Sequence, residues 1–159
     1  MRERKSLSFD EAPLLRAEPY IRAANYYETD QMKIIHHSNY IRWMEEARVD
    51  VMEQIGFGYG KMESMGVYSP VLGASLEYKS MVRFGDRVRI ECRIGEYTGL
   101  QLRMLYRMTN LTTGEVCTLC ESRHGFLDEE GHIISLKRKY PETHQLLLDA
   151  MLPREESAE

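Results

Sequence analysis

The sequence has no long apolar run. Its 159 residues contain no stretch close to the roughly 20 apolar residues that a membrane-spanning helix needs. The first residues also lack the apolar segment of a secretory signal peptide. We therefore expect no membrane span and a cytoplasmic location.

Cysteine is scarce, with three residues in the whole chain. Cys117 and Cys120 form a C-x-x-C, a spacing found in zinc and redox sites. No second pair completes a set of zinc ligands, and residues three apart on a strand point to opposite faces. Cys92 is isolated. We expect packed, reduced thiols and no cofactor.

Positive charge is not in excess. The formal net charge is -4, which argues against nucleic acid as a partner. Several arginines nevertheless lie in strand-like segments. Arg83, Arg103 and Arg107 could contact the phosphates of a small ligand, or they could simply be solvated on a polar strand face.

Several catalytic motifs are missing. Ser75 in "GASLE" lacks the G-x-S-x-G pattern of serine hydrolases and lies within a strand pattern. The sequence contains neither the phosphate-binding motif G-x-x-x-x-G-K-[ST] nor the dinucleotide-binding motif G-x-G-x-x-G. His36 and His37 are adjacent, a poor spacing for one metal ion, and the chain has no H-E-x-x-H.

What the sequence does contain is the composition of one folded domain, with 43% hydrophobic and 29% charged residues. Residues 19–27 are strand-like and residues 28–37 read as a loop. A helix is predicted from a cap at Ser38 or Asn39 to Ile55, ending at Gly56. Its apolar residues lie on several faces, so we expect it to be buried on most sides. The predicted stripe is Ile41, Met44, Ala47, Val51 and Ile55.

The second half of the chain alternates apolar and polar residues, which predicts strands joined by short turns. Short turns favour an antiparallel meander, and a sheet that curls around the helix would cover it. A short strand is expected in "HIISL" and a C-terminal helix near Pro141. The strands are expected in "VLGASLEYKS", "RVRIECRIGEY", "LQLRMLYRMTN" and "EVCTLCESRHGFLD".

The stretch "YYETDQMKIIHHSNYIRWMEEAR" places Asp30 shortly before a helix start that includes His37. A buried helix start offers free N–H groups, which suit a carbonyl oxygen that becomes negative. A carboxylate beside such donors can hydrolyse an acyl compound without a serine or cysteine nucleophile. Simpler readings remain open: Asp30 could cap a turn, His37 could be an ordinary hydrogen-bonded histidine, and Tyr26 could pack in a strand.

This stretch resembles the signature of the 4-hydroxybenzoyl-CoA thioesterase type of hotdog-fold enzymes, closest to the bacterial branch of Tol–Pal-associated thioesterases. The resemblance continues through "LEYKSMVRFGD" and "ESRHGFLDEEGH" and covers roughly residues 20–150. It implies an α+β hotdog fold, a curved antiparallel sheet wrapped around one long central helix. We expect one such domain at 19–152, a flexible extension at 1–18 and a disordered tail at 153–159.

The resemblance also implies site residues. Asp30 matches the catalytic aspartate, acting as nucleophile or general base. His37 matches the position whose backbone N–H polarises the thioester carbonyl, and its imidazole is also assigned to the site. Tyr26 matches a tyrosine that helps to position water or the carboxylate. Family members are dimers or tetramers of dimers, with the acyl-CoA site at the subunit interface.

Two residues depart from the family pattern. Lys33 stands where the family usually has the glycine of Asp-x-x-Gly, so we expect a different loop backbone there and a cation that favours the Asp30 carboxylate. Met81 stands where proline is common, and the extension before Pro19 is longer than expected.

The sequence therefore predicts an acyl-CoA thioesterase that forms a homodimer or homotetramer. The alternative from another class is a non-catalytic module that binds acyl-CoA or an acyl-carrier protein on the same fold. An acyl dehydratase on that fold is a further, enzymatic alternative.

Overall fold

The structure is a computed structural model, and it describes residues 8–152. The described part of the chain contains five strands and four helices. The strands are β1 (Tyr20–Ala23), β2 (Val71–Tyr78), β3 (Arg87–Tyr97), β4 (Gln101–Asn110) and β5 (Val116–Gly125). The helices are α1 (Asn39–Gln54), α2 (Tyr59–Ser64), α3 (Leu136–Lys139) and α4 (Pro141–Ala150). No helix in residues 8–152 is long and apolar enough to cross a membrane.

The strands form one antiparallel sheet in the order β1-β3-β4-β5-β2. The predicted alternation is confirmed in β3, where Val88, Ile90, Cys92 and Ile94 are buried. β3 and β4 are joined by a tight turn in which Gly99 has φ +85°, a conformation that suits glycine. The expected α+β architecture, an antiparallel sheet with one long helix, is confirmed.

Helix α1 packs one face against the sheet. Ser38 takes the predicted cap position, and the helix ends at Gln54, just before Gly56 with φ +84°. The prediction that α1 is buried on most sides is wrong for this chain. Ile41, placed in the predicted stripe, is 52% exposed, and Val49 is also exposed. The buried helix residues are Asn39, Tyr40, Trp43, Met44, Ala47, Val51 and Met52.

Two predicted strands are shorter or absent. The first strand ends at Ala23, and residues Tyr26–Glu28 form a 3₁₀ turn. The Glu28 carboxylate stabilises this turn by accepting a hydrogen bond from the Asn25 backbone N–H at 2.8 Å. In "HIISL" the chain makes only an isolated bridge between Leu127 and Ile133, and then enters α3.

The segment before β1 packs on the outer face of the sheet. The Phe9 ring lies between the guanidinium groups of Arg93 and Arg107, with ring-to-carbon distances of 4.3 and 4.5 Å. Arg93 donates to the Phe9 carbonyl at 2.8 Å, and Arg107 pairs with Asp10 at 3.2 Å. Whether residues 1–18 are flexible stays a prediction. Residues 1–7 and the predicted tail at 153–159 lie outside the described residues.

The three cysteines are free thiols buried in the core. Burial raises the pKa of all three, that of Cys120 to about 12. The thiol form therefore dominates at neutral pH, and the Cys117 thiol donates to the Met108 carbonyl at 3.3 Å. Buried, protonated thiols of this kind are poor nucleophiles.

A chain of polar side chains crosses the core from α1 to β5. Arg48 donates to the Tyr106 hydroxyl at 3.2 Å, Tyr106 and Ser122 are 2.7 Å apart, and Ser122 lies 2.7 Å from His124 Nε2. His124 is 2% exposed. Burial, and secondarily the charge of Arg48, lowers the pKa of His124 from 6.5 to about 4. His124 is therefore neutral in the folded protein at pH 7.

This pKa predicts how stability depends on pH. Between pH 6.5 and 4 the unfolded chain protonates His124 and the folded chain does not, so stability falls as the pH falls. The shift corresponds to a loss of up to about 3 kcal/mol. Denaturant unfolding at several pH values should show a shallower pH dependence in His124→Gln. Equal slopes in wild type and His124→Gln would contradict the assignment.

Candidate active site

Asp30 opens a tight hairpin turn. Thr29 and Ile35 form a bridge, and the Asp30 N–H donates to the Ile34 carbonyl at 3.0 Å. Asp30 Oδ1 accepts the Met32 N–H at 2.8 Å, which leaves Oδ2 without a hydrogen-bond partner among residues 8–152. One carboxylate oxygen of Asp30 therefore caps the turn, as the simpler interpretation predicted. The other oxygen has no partner in the described part of the chain and could contact a substrate.

Lys33 completes this turn with an unusual backbone. Its N–H donates to the Asp30 carbonyl at 2.9 Å, and its φ is +63°. It is the only residue other than glycine with positive φ in the described part of the chain. This left-handed conformation suits glycine and costs other residues about 1–2 kcal/mol. Lys33 therefore adopts a backbone conformation that glycine would adopt without this energetic cost.

The segment before Asp30 is attached to α1 by a buried carboxylate. Glu28 is 4% exposed and accepts hydrogen bonds from Arg22 at 2.7 Å and from the Trp43 indole N–H at 2.7 Å. Arg22 also pairs with Glu46 at 2.9 Å. A buried carboxylate requires such donors, since an unpaired buried charge is very costly. These bonds position the loop two residues before Asp30.

The segment after Asp30 is fixed at the helix start. The Glu28 carbonyl accepts the His36 N–H at 2.9 Å and the Asn39 side-chain amide at 2.9 Å. The Ser38 N–H donates to the His36 ring at 3.2 Å, and the Ser38 side chain makes no capping hydrogen bond to the first turn of α1. The His37 N–H has no acceptor among residues 8–152. It is a free donor at the positive end of α1.

Asp30 and His37 line the same pocket, which has a volume of about 220 Å³. Tyr40 and Tyr78 form part of its wall, with their rings 5.1 Å apart. The Tyr78 hydroxyl donates to the His37 carbonyl at 3.0 Å. Burial, and secondarily Cys120, raises the pKa of Tyr78, so this hydroxyl keeps its proton at neutral pH. Asp30, which has an unpaired carboxylate oxygen, and His37, which has an unpaired backbone N–H, therefore line one pocket in the described part of the chain.

Tyr26 is not one of the residues that line this pocket. It lies in the 3₁₀ turn rather than in a strand, is 75% exposed, and packs edge-on against Phe84 at 5.6 Å. The interpretation that Tyr26 packs within a strand is therefore wrong. Its role at the site stays a prediction.

Sequence reasoning missed Glu28, Tyr40 and Tyr78. Tyr78 belongs to β2 and lies 41 residues from the carbonyl that it contacts, so no local spacing links the two. Tyr40 is one turn of helix beyond His36 and could have been found by helical spacing. Glu28 had a weaker signal, an acid shortly before a helix that contains the only tryptophan.

Two other groups of candidate side chains already have partners within the described part of the chain. Arg103 pairs with Glu121 at 2.6 Å and Arg107 pairs with Glu91 at 3.0 Å, so carboxylates already engage both guanidinium groups. Ser122 and His124 lie at the distance of a nucleophile and its base. However, Ser122 is buried in the core and also bonds to Tyr106, which leaves it no access to a substrate.

A five-stranded antiparallel sheet packed against one long helix is the architecture of the hotdog class of proteins. The chain matches the family model of the thioesterase-like superfamily over residues 25–150, and it belongs to that family. The chain is therefore a thioesterase enzyme.

Individual relatives agree with this assignment. The chain is 34% identical over 120 residues to the "Putative acyl-CoA thioesterase YneP" of Bacillus subtilis, covering 75% of this chain and 86% of the relative. It is 27% identical over 101 residues to the acyl-CoA thioester hydrolase YbgC of Escherichia coli O157:H7, covering 60% and 75%. The DHNA-CoA thioesterase of Staphylococcus aureus superimposes with a TM-score of 0.78 at 30% identity, covering 83% of this chain and 89% of that one.

The backbone of Lys33 generates a stability prediction. Lys33→Gly should be more stable to denaturant than Lys33→Val by about 1–2 kcal/mol, because a β-branched residue disfavours positive φ. At Lys61, in helix α2, the order should reverse, with Lys61→Val more stable than Lys61→Gly. If Lys33→Val is as stable as Lys33→Gly, the left-handed conformation is not maintained in solution.

Proposed function

We propose that the chain is an acyl-CoA thioesterase in which Asp30 acts as general base or nucleophile and the His37 N–H stabilises the oxyanion. The observation that carries this proposal is the pocket that Asp30 and His37 both line, together with the lack of a hydrogen-bond partner for Asp30 Oδ2 and for the His37 N–H among residues 8–152. A single oxyanion donor of this kind contributes roughly 10²–10³ in rate.

The reaction follows from these two groups. The substrate carbonyl oxygen accepts the His37 N–H, and the positive end of α1 favours the negative charge that develops there. As a base, Asp30 takes a proton from the attacking water, and the tetrahedral intermediate then breaks the C–S bond and releases the protonated thiol of CoA. As a nucleophile, Asp30 attacks the thioester carbon and the C–S bond breaks, so that the CoA thiolate leaves and a mixed anhydride remains. Water then hydrolyses the anhydride, which regenerates Asp30 and supplies the proton that the thiolate takes up.

Neighbouring side chains support this geometry. The Tyr78 hydroxyl donates to the carbonyl of His37, which orients the peptide group that follows the proposed oxyanion donor. The His37 ring stacks against His36 at 4.1 Å, at the border of the pocket. Tyr26 is proposed to position water or the carboxylate, as the family resemblance implies.

The motif supports a place in the 4-hydroxybenzoyl-CoA thioesterase type, in the branch of Tol–Pal-associated enzymes, and a cytoplasmic location. It also supports a homodimer or homotetramer with the site at the subunit interface. Strand β2 is an edge of the sheet and exposes Val71 and Leu72. An exposed apolar edge strand is prone to pair with another copy. We therefore propose that β2 pairs with β2 of a second subunit.

Asp30→Asn tests the chemistry. Asparagine keeps an oxygen for the Met32 N–H, so the fold should be retained while kcat/KM for acyl-CoA falls by about 10²–10⁴. Thiol release from a panel of acyl-CoA substrates measures the effect, and Asp149→Asn, an exposed change on α4, should keep the wild-type rate. Transfer of ¹⁸O from labelled water to Asp30 would distinguish the nucleophile from the base.

Unchanged rates in Asp30→Asn would refute the assignment. Binding of CoA esters without any thiol release over hours would favour the binding module, and formation of an enoyl product would indicate a dehydratase.

Light scattering tests the assembly. The wild type should be a dimer or tetramer at micromolar concentration. Val71→Lys should weaken it, because a charge on an edge strand opposes pairing. Ile21→Lys, an equivalent change on the exposed edge strand β1, should leave the assembly intact. A monomeric wild type would rule out a site completed by a partner.

A further inference from the structure

Four consecutive residues at the start of α1 use their backbone N–H groups differently. The His36 N–H donates to the Glu28 carbonyl at 2.9 Å. The Ser38 N–H donates to the His36 ring at 3.2 Å, and the Asn39 N–H donates to the His36 carbonyl at 3.0 Å. The His37 N–H is the one donor of these four without an acceptor among residues 8–152. Three donors are therefore used within the protein, and one remains for a ligand.

The side chain of Asn39 reaches back from the helix to the preceding loop. Asn39 is 6% exposed, and its Nδ2 group donates to the Glu28 carbonyl at 2.9 Å and to the His36 carbonyl at 3.3 Å. A carbonyl oxygen only accepts hydrogen bonds, so the nitrogen of the Asn39 amide must face both carbonyls. An asparagine at a helix start usually accepts from helix N–H groups through its oxygen. In this chain its nitrogen instead donates away from the helix.

The carbonyl of His36 belongs to the same peptide group as the N–H of His37. That peptide bond is trans, so its C=O and its N–H point in opposite directions. Asn39 binds this carbonyl through two atoms, its backbone nitrogen and Nδ2. A carbonyl that is held towards α1 directs the N–H of the same peptide away from α1. The orientation of the His37 N–H therefore depends on Asn39.

The two hydrogen bonds also change the strength of the donor. A carbonyl that accepts hydrogen bonds polarises its peptide group, and hydrogen bonds in such a chain strengthen one another. The His37 N–H is thus expected to carry more positive charge while Asn39 donates to the His36 carbonyl.

We propose that Asn39 is a positioning residue, whose side-chain amide orients and polarises the peptide group that carries the oxyanion donor. This inference rests on the proposed function, because the His37 N–H stabilises an oxyanion only if the chain hydrolyses a thioester. Asn39 itself touches no reacting atom and acts through the His36–His37 peptide.

Asn39→Ala tests this role in turnover. It removes both side-chain donors, but the Glu28 carbonyl keeps the His36 N–H and the His36 carbonyl keeps the Asn39 N–H, so the fold should be retained. The oxyanion forms only in the transition state, so kcat for acyl-CoA should fall about 10–100-fold while KM changes by less than about twofold. Asn39→Ser, which keeps a shorter donor, should lose less and serves as the variant if alanine does not fold.

Ser122→Ala is the control for stability. It removes buried hydrogen bonds to Tyr106 and His124, and Ser122 does not line the pocket of Asp30 and His37. Its free energy of unfolding should fall, whereas its kcat should equal that of the wild type. A purely structural role of Asn39 would give the same result in both alanine variants.

NMR on the full chain reports the hydrogen bonds directly. In Asn39→Ala the ¹³C carbonyl signal of His36 should move upfield, because this carbonyl then accepts one hydrogen bond fewer, and in Ser122→Ala it should not move. In the wild type, the side-chain amide protons of Asn39 should exchange with solvent at least about tenfold more slowly than those of Asn25, whose amide bonds to Tyr27 at the surface. This last comparison needs no variant.

The inference is overturned if folded Asn39→Ala or Asn39→Ser keeps the wild-type kcat, or if the amide protons of Asn39 and Asn25 exchange equally fast. If Asp30→Asn loses its rate and Asn39→Ala does not, this inference fails and the proposed function stands. If Asn39→Ala loses its rate and Asp30→Asn does not, the role of Asp30 fails and that of Asn39 is supported. A wild type that hydrolyses no acyl-CoA would overturn both.

Discussion

The geometry of the active site depends on the buried carboxylate of Glu28. Its oxygens accept hydrogen bonds from Arg22, the Asn25 N–H and the Trp43 indole, and these bonds offset the cost of burying a polar group. Those three donors come from strand β1, from the following turn and from helix α1. One residue therefore joins the sheet, the loop and the helix. The Glu28 carbonyl adds the link to His36 and Asn39, so both ends of the Asp30 hairpin are attached to the same point.

This attachment explains how the site can tolerate locally unfavourable features. Asp30 Oδ2 and the His37 N–H make no bonds within the described chain, and Lys33 adopts a conformation that favours glycine. The left-handed backbone of Lys33 costs free energy, which the surrounding hydrogen bonds and packing must offset. In the proposed active site, substrate would bind to the two groups that have no protein partner among residues 8–152, so these groups would be in place before the reaction.

The two polar clusters of the protein lie at different places along α1. Tyr40, near its start, faces the pocket of Asp30 and His37, whereas Arg48 lies about 12 Å further along the axis, as expected for eight helical residues. The apolar residues Met44 and Ala47 fill the helix face between them. One helix thus carries a residue of each polar cluster and separates the clusters with packed core.

The sequence alone determined the periodic parts of the protein. Alternation in β3 and helical spacing in α1 predicted those elements, and the interval from Asp30 to the helix start predicted that a carboxylate and a helix N-terminus would meet. These features depend on residues near one another in the chain. The 3₁₀ turn at Tyr26–Glu28, the exposed face of α1 and the bonds from Tyr78 to His37 and from Arg48 to Tyr106 were decided only by tertiary structure. Their partners lie up to 58 residues apart, and hydrogen bonds between such distant residues form only when the sheet brings β2, β4 and β5 against α1.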